Sequence, residues 1–175
     1  TMIISTSGRY EYRNKGIDVF IEAMNRVRTS GRLQRELVAF IMVPAWTRAP
    51  RADLKEVLEH TIETKAPMQL PFVTHWLNNM QEDKVLNYIN SAGFTNSANQ
   101  KLKIIFVPCY LDGKDGIFNQ PYYDILIGMD ATVYPSYYGP WGYTPLESVA
   151  FGIPTITTDL AGFGLWARKS LSGKD

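Results

Sequence analysis

The feature that most constrains this chain is an alternation of short apolar runs with stretches of helical periodicity. Five runs rich in branched apolar residues have the length of buried strands. They lie at residues 2–5, 37–43, 103–107, 131–134 and 154–157. Residues 16–28 instead have apolar side chains at the spacing of an amphipathic helix. Because parallel strands need long crossover connections, the pattern predicts an α/β fold, with a Rossmann-like doubly wound parallel sheet.

Further helices are predicted after the third and fourth strands. Residues 121–128 and 145–151 each begin with a proline, whose missing N–H is harmless in a first helical turn. The segment 45–100 is too long for a bare connection, so we expect a partly helical insertion with helices at 52–65 and 83–92. The whole chain, 1–175, is predicted to form one domain. Its first strand begins at residue 2 and its last helix stops near Ser170, so we expect both ends to be cut from a longer protein.

Composition limits the classes of partner. Eighteen basic and seventeen acidic residues leave a formal charge of +1, which gives no field that favours nucleic acid or an anionic membrane. No apolar run approaches the roughly 20 residues that cross a bilayer, and the start has no signal-peptide pattern. Cys109 is the single cysteine, which excludes an internal disulfide and suits a reducing compartment. These observations predict a cytoplasmic protein.

Two unusual loops follow the first and fourth predicted strands. Ligands of doubly wound sheets bind beyond the carboxyl ends of the strands, where the strand order reverses. The first loop, "TSGRYEYRNKG", offers Gly8 for a tight turn and two cations, Arg9 and Lys15. Together these cations could clamp a diphosphate. A lone Arg or Lys is more often a solvated surface charge, so the interpretation depends on the second loop.

The second loop, "YPSYYGPWGYTP", leads into a predicted helix. Gly142, Tyr143 and Thr144 come just before Pro145, and free N–H groups at a helix start favour an anion such as phosphate. Glu147, one turn further on, could accept hydrogen bonds from ribose hydroxyls. Alternatively, Glu147 is only an acidic residue of the first turn, which stabilises a helix by about 0.3–1 kcal/mol.

Five segments resemble one family. In order they are "GRYEYRNKG", "AFIMVPA", "PFVTH", "IIFVPCYL" and "YPSYYGPWGYTPLESVAFGIPTITTDLAGFG". They are similar to the C-terminal domain of glycogen synthases of the fungal and animal type, and the likeness runs from about residue 7 to residue 164. The resemblance implies the donor-binding C-terminal half of a two-domain GT-B glycosyltransferase, whose N-terminal acceptor domain is not part of this chain.

The resemblance also assigns roles and substrates. It implies that Arg9 and Lys15 hold the donor diphosphate, that Glu147 binds ribose and that Tyr122 stacks on uracil. Loop amides of Gly142, Tyr143 and Thr144 would contact the phosphates. The implied reaction is transfer of glucose from UDP-glucose to a growing glucan acceptor with formation of an α-1,4 bond. The preference between UDP and ADP donors stays open.

One position departs from the family pattern. The family has a first glutamate eight residues before Glu147, near the transferred sugar, and this chain has Gly139 there. Loss of an electrostatic contact at a reacting centre can lower a rate by about 10²–10³. Three hypotheses therefore remain: the donor domain of a glycogen synthase, another retaining GT-B transferase, or a non-catalytic nucleotide-sugar-binding scaffold.

No cofactor or metal is expected. Two cations and a helix terminus can meet the charge that grows on the leaving phosphate. His60 and His75 are isolated in the sequence, with no nearby cysteine, so His75 is interpreted as a structural or supporting residue. Trp141 could be a sugar platform, but we favour packing. The family assembles through helices of the insertion, so the shorter 45–100 segment leaves oligomerisation of the full-length protein open.

Overall fold

The computed structural model describes residues 1–60 and 67–173. The strands are β1 (Met2–Ser7), β2 (Leu37–Met42), β3 (Thr47–Pro50), β4 (His75–Leu77), β5 (Leu102–Val107), β6 (Ala131–Tyr134) and β7 (Thr155–Thr157). The helices are α1 (Ile17–Thr29), α2 (Ala52–Leu58), α3 (Lys84–Ser91), α4 (Tyr122–Leu126), α5 (Tyr143–Ala150) and α6 (Gly162–Leu171). No helix in these ranges is both long enough and apolar enough to span a membrane.

The main sheet has the predicted α/β architecture. Its five strands run in the order β5-β2-β1-β6-β7, and every neighbouring pair is parallel. The chain builds outward from β1 to β2 and β5, then returns to the other side of β1 for β6 and β7. The strand order therefore reverses between β1 and β6, and the carboxyl ends of these two strands flank the crevice where such folds bind ligands.

The sheet is covered on both faces, as the apolar strands require. Along β5, Ile104 and Phe106 belong to one core cluster, while Ile105 and Val107 belong to the other. This alternation follows from the two-residue repeat of a strand. Helices α1 and α3 cover the first face, and α4 covers the second. The five predicted strands are confirmed, with β1 extending two residues further than predicted.

The insertion contains a two-stranded sheet that the sequence pattern does not predict. Strands β3 and β4 pair antiparallel, with an irregular register between Thr47 and Ala49. The predicted helix 83–92 corresponds to α3, which Asp83 caps by accepting a hydrogen bond from Leu86 N at 2.9 Å. Of the predicted helix 52–65, α2 accounts for Ala52–Leu58, and the part at 61–65 lies outside the described residues.

A buried arginine fixes this insertion. Arg51 is only 1% exposed, and its guanidinium donates to the carbonyl oxygens of Gln69, Leu70 and Val73 at 2.8, 2.6 and 3.2 Å. It also pairs with Asp53 at 2.7 Å, which lowers the pKa of that carboxyl group through hydrogen bonding. A buried guanidinium with this many acceptors is satisfied, so Arg51 is a structural clamp.

The two loops at the switch point touch through their backbones. Gly16 is the N-cap of α1 and has φ +64°, and a Cβ atom at this position would lie 1.8 Å from the carbonyl oxygen of Pro135. Nearby, Tyr137 N–H donates to the carbonyl oxygen of Asn14 at 2.9 Å. Glycine is thus required at residue 16 for both conformation and close approach.

Substitution of Gly16 tests this approach. We expect Gly16→Ala to lower the free energy of unfolding by at least about 3 kcal/mol, because positive φ and a backbone clash act together. Gly31→Ala is the matched control, since Gly31 has φ +68° and no neighbour within 4 Å of an added Cβ. The free energy of unfolding of Gly31→Ala should fall by only about 1–2 kcal/mol. Urea unfolding measures the free energy of unfolding of both variants. Equal decreases in Gly16→Ala and Gly31→Ala would contradict the close contact with Pro135.

Candidate functional site

An open cleft of about 270 Å³ lies at the carboxyl edge of the sheet. Its walls come from the ends of β1, β2 and β5 and from the starts of α4 and α5. The lining residues are Ser7, Gly8, Met42, Pro44, Cys109, Tyr110, Leu111, Asp112, Tyr122 and Thr144. This is the position that the topology predicts for a ligand.

The first loop brings a cation to the start of α5. A Cβ atom built on Gly8 would lie 3.8 Å from Thr144 Cγ2 and 4.0 Å from Lys15 Cε. Gly8, Lys15 and Thr144 therefore lie close together. Lys15 is half-buried, whereas the side chain of Arg9 is exposed on the same loop. Among the described residues neither cation forms an ion pair. Their charge is therefore available to an anion.

The N-terminus of α5 has unused hydrogen-bond donors. The helix begins at Tyr143 rather than at Pro145, so the predicted loop residues Tyr143 and Thr144 form its first turn. Gly142 caps it with φ +94° and offers no side-chain acceptor, and within the described residues the N–H groups of Tyr143 and Thr144 have no partner. The earlier start does not affect Pro145, because first-turn N–H groups have no helical acceptor. Such an end favours an anion.

Tyr122 stands across the cleft from this helix end. It is the first residue of α4, and its hydroxyl lies 2.6 Å from Ser7 Oγ at the end of β1. Burial, followed by the neighbouring Tyr134, raises the pKa of Tyr122, so the phenol stays protonated at neutral pH. The ring is thereby held in one orientation in the wall of the cleft.

Glu147 lies one turn into α5 and is half-buried. Hydrogen bonding with Glu147, reinforced by the repulsion of its charge, raises the pKa of Tyr123. Tyr123 also packs against Phe151 with ring centroids 5.4 Å apart. The Glu147 carboxylate therefore lies beside α4, close enough for its charge also to raise the pKa of Tyr122 slightly.

Gly139 lies in the loop between β6 and α5, and its backbone is not in the left-handed region that favours glycine. It forms a bridge with Ala161, and its carbonyl accepts a hydrogen bond from Gly162 N at 2.9 Å. A Cβ at this position would lie 3.7 Å from Ala161 Cβ, which is normal van der Waals contact. The backbone therefore does not require glycine here.

Trp141, close to Gly139, is a packing residue, as favoured from the sequence. Its ring lies 6.1 Å from those of both Phe163 and Trp166. These contacts tie the loop before α5 to α6, and they account for the aromatic side chain without a sugar.

The structure corrects the interpretation of His75 as remote from any cysteine. Nitrogen, sulfur and carboxylate oxygen atoms of His75, Cys109 and Asp115 lie within 4.8 Å of one another, although the residues are distant in the sequence. Both ring nitrogens already have partners, Thr74 Oγ1 at 2.7 Å and the carbonyl oxygen of Asp115 at 2.8 Å. The Asp115 carboxylate accepts from the N–H groups of residues 117–119. The cluster therefore supports the loop behind the cleft.

Comparison with known proteins identifies the family. The family model described as glycogen synthase matches residues 1–55 and 50–175. The chain belongs to the glycogen synthase family. It is 30% identical to glycogen [starch] synthase of Neurospora crassa over 97% of the chain and 31% of that protein. It is also 30% identical to glycogen [starch] synthase isoform 2 of Saccharomyces cerevisiae, over 95% of the chain and 32% of that protein. The chain is 27% identical to the liver glycogen [starch] synthase of Homo sapiens, over 98% of the chain and 31% of that protein.

The chain spans about a third of the length of the curated glycogen synthases that it matches. The alignment with the Neurospora crassa protein extends over 223 positions, more than the 175 residues of the chain. That relative therefore has residues within the matched region that this chain lacks. The two parts of the family match meet at residues 50–55, in the insertion.

Some residues of the cleft were not identified from the sequence. Ser7, Pro44 and Asp112 line it, and they end or closely follow β1, β2 and β5. The rule that ligands bind beyond the carboxyl ends of parallel strands could have found them. The contact between Ser7 and Tyr122 had no sequence signal, because the two residues are 115 positions apart.

The thiol in the cleft allows a test of its electrostatics. Burial, followed by the charges of Asp115 and Asp112, raises the pKa of Cys109 to about 12. Alkylation by iodoacetamide should therefore still accelerate by about tenfold per pH unit between pH 8 and 10, where an ordinary thiol with a pKa of about 8.5 levels off. Asp112→Asn should shift this rise to lower pH. A plateau near pH 9 in the unmodified chain would contradict the proposed environment.

Proposed function

We propose that this chain is the donor-binding domain of a retaining glucosyltransferase that transfers glucose from UDP-glucose to the non-reducing end of an α-1,4-glucan. The observation that carries the proposal is the meeting of Gly8 and Lys15 with Thr144 at the start of α5, which has no side-chain cap. Membership of the glycogen synthase family supports the same reaction.

The proposed role of this meeting point is to bind the leaving diphosphate. Transfer breaks the bond between the anomeric carbon and the diphosphate, so negative charge grows on the phosphate oxygens. Lys15 supplies a point charge, Arg9 a planar pair of donors, and α5 its free N–H groups. Fixed donors of this kind stabilise developing charge without reorganisation. These groups supply the compensating charge themselves, so the proposal includes no metal or cofactor.

The nucleoside would bind along the opposite wall. The ring of Tyr122, held by Ser7, offers a flat surface for the base. Glu147, which lies beside Tyr123, can accept hydrogen bonds from the ribose hydroxyls. The apolar walls contributed by Met42 and Leu111 would exclude water from the base.

The acceptor requires a second domain in this proposal. A GT-B enzyme closes two domains around donor and acceptor, and positioning of two reactants provides a large part of a rate enhancement. The chain alone is therefore expected to bind donor and to transfer little. The proposed setting is a cytoplasmic enzyme whose acceptor domain contacts the open side of the cleft.

A second candidate function follows from Gly139. Without the family's first glutamate, the site would retain its grip on the nucleotide sugar but lack a carboxylate near the reacting carbon. A non-catalytic nucleotide-sugar-binding scaffold would have this combination.

A transferase that uses another donor is a further alternative. Titration with UDP-, ADP- and GDP-sugars distinguishes it, because a preference for a purine nucleotide would count against UDP-glucose.

Charge removal tests the diphosphate site. We expect Arg9→Ala and Lys15→Ala each to weaken binding of UDP-glucose by about 1.5–3 kcal/mol, the scale of a hydrogen bond to a charged group. Arg32→Ala is the control, since this exposed arginine precedes β2 at the amino edge of the sheet. Calorimetric titration measures all three. Unchanged affinity in both loop variants would place the diphosphate elsewhere.

Restoration of the acid tests the choice between enzyme and scaffold. In a protein that joins this chain to its acceptor domain, Gly139→Glu should raise glucosyl transfer to glycogen by about 10²–10³. The backbone tolerates a side chain at its first atom, because a Cβ built on Gly139 would lie 3.7 Å from Ala161 Cβ. Gly139→Gln is the uncharged control and should have a much smaller effect. Donor binding without transfer in every form would support the scaffold.

A further inference from the structure

Three potential metal ligands meet behind the wall of the donor cleft. One ring nitrogen of His75, the sulfur of Cys109 and a carboxylate oxygen of Asp115 all lie within 4.8 Å of one another. Within residues 1–60 and 67–173, no other set of three histidine, cysteine or acidic side chains is arranged to share a metal ion. None of the three residues has a role in the proposed grip on the nucleotide sugar, so the cluster is a candidate site of its own.

The ring of His75 is held in the orientation that a ligand needs. Its Nε2 atom lies 2.8 Å from the carbonyl oxygen of Asp115, and its Nδ1 atom lies 2.7 Å from Thr74 Oγ1. Because a carbonyl oxygen only accepts, Nε2 carries the proton in the metal-free chain and Thr74 donates to Nδ1. A metal on Nε2 would replace that proton, and Nδ1 would then be protonated and donate to the Thr74 hydroxyl, which can also accept. Metal-bound histidines usually have such a supporting partner.

Asp115 is a buried carboxylate without a cationic partner. Its side chain is 0% exposed, and it accepts hydrogen bonds from the backbone N–H groups of residues 117–119 at 2.8–3.0 Å. A carboxylate has about four acceptor positions, so one stays free for a metal. In the described part of the chain no lysine or arginine pairs with it. Because a buried charge is costly without a partner, this position favours a bound cation.

Cys109 supplies the soft ligand and the route of entry. It lines the open donor cleft, so an ion can reach the sulfur from solvent. The charges of Asp115 and Asp112 both act on this thiol, and they would attract a cation to it. The cluster is therefore buried on the side of His75 and Asp115 but accessible on the side of Cys109.

We propose that His75, Cys109 and Asp115 bind a zinc ion or a similar thiophilic divalent cation. Bonds of about 2.0–2.3 Å in a tetrahedral zinc site place the ligand atoms about 3.3–3.8 Å apart. The distance of 3.6 Å between His75 Nε2 and Asp115 Oδ2 is within this range. The other separations within the cluster would need to shorten by up to about 1 Å, which side-chain rotation can provide.

The donor set selects the kind of metal. Sulfur and imidazole ligands favour zinc over magnesium or calcium, which prefer oxygen ligands alone. Thiolate is the ligand form of cysteine, so binding would release the thiol proton to solvent. The bound ion would join β4, which begins at His75, to the segment that follows β5. It would thereby fix the wall of the cleft without taking part in the grip on the diphosphate.

Titration of the chain, without an added histidine tag, with zinc chloride tests this inference. We expect saturable binding with one-to-one stoichiometry, and magnesium chloride should not compete. Cys109→Ala and His75→Gln should each weaken zinc binding by more than about 100-fold, because loss of even a supporting residue commonly costs about 10–100-fold. His60→Ala is the matched control, since His60 is exposed and lies outside the cluster. This variant should bind zinc like the unmodified chain.

Cobalt(II) provides a readout that a purely structural role of the cluster would not give. A cobalt–thiolate bond has a charge-transfer absorption in the near ultraviolet, which should appear in the unmodified chain and in His60→Ala but not in Cys109→Ala. Thermal unfolding checks that each variant is folded, and Cys109→Ala decides the question if His75→Gln is not. Equal zinc affinity in Cys109→Ala and the unmodified chain, or no zinc binding by the unmodified chain, overturns the proposal. Loss of zinc binding in His60→Ala alone would also overturn it.

Discussion

The site depends on the close approach of two backbones at the switch point of the sheet. Gly16 contacts the carbonyl group of Pro135 at a distance that no side chain permits, and Asn14 is bonded to Tyr137 next to it. This contact joins the loop after β1 to the loop after β6. As a result Lys15 lies near Gly8 and the first turn of α5, so a cation and a helix dipole act on the same small volume. Neither feature would form an anion site without the other.

The main sheet was predictable because its strands are buried on both faces. Continuous apolar runs such as those of β2 and β5 have few alternatives to a parallel sheet between helices. The hairpin of β3 and β4 was not predictable. Its first strand is mostly exposed, ends in Pro50 and has an irregular register, so no hydrophobic alternation indicates it. Its position is set instead by long-range contacts, among them the carbonyl groups gathered by Arg51.

The candidate site shows the same division between local and distant information. Glycines, cations and a helix start are local signals, and they indicate Gly8, Lys15 and Thr144 from the amino-acid sequence alone. Contacts between distant segments leave no such signal. The hydrogen bond between Ser7 and Tyr122 arises only when the fold brings the end of β1 to the start of α4. The cluster of His75, Cys109 and Asp115 arises only when β4 lies against the segment that follows β5. The sequence therefore indicates the residues proposed to bind the donor, whereas only the fold shows the residues that contact and orient them.

The resemblance to glycogen synthases implies a glutamate at residue 139, where this chain has glycine. The groups proposed to hold the nucleotide lie on β1, α4, α5 and the first loop, and none of them depends on a side chain at residue 139. The loop around Gly139 is held by its bridge to Ala161 and by the aromatic packing of Trp141. Neither the conformation of residue 139 nor the surroundings of an added Cβ require glycine. In the proposed function, donor binding is therefore independent of residue 139, whereas glucosyl transfer is expected to depend on it.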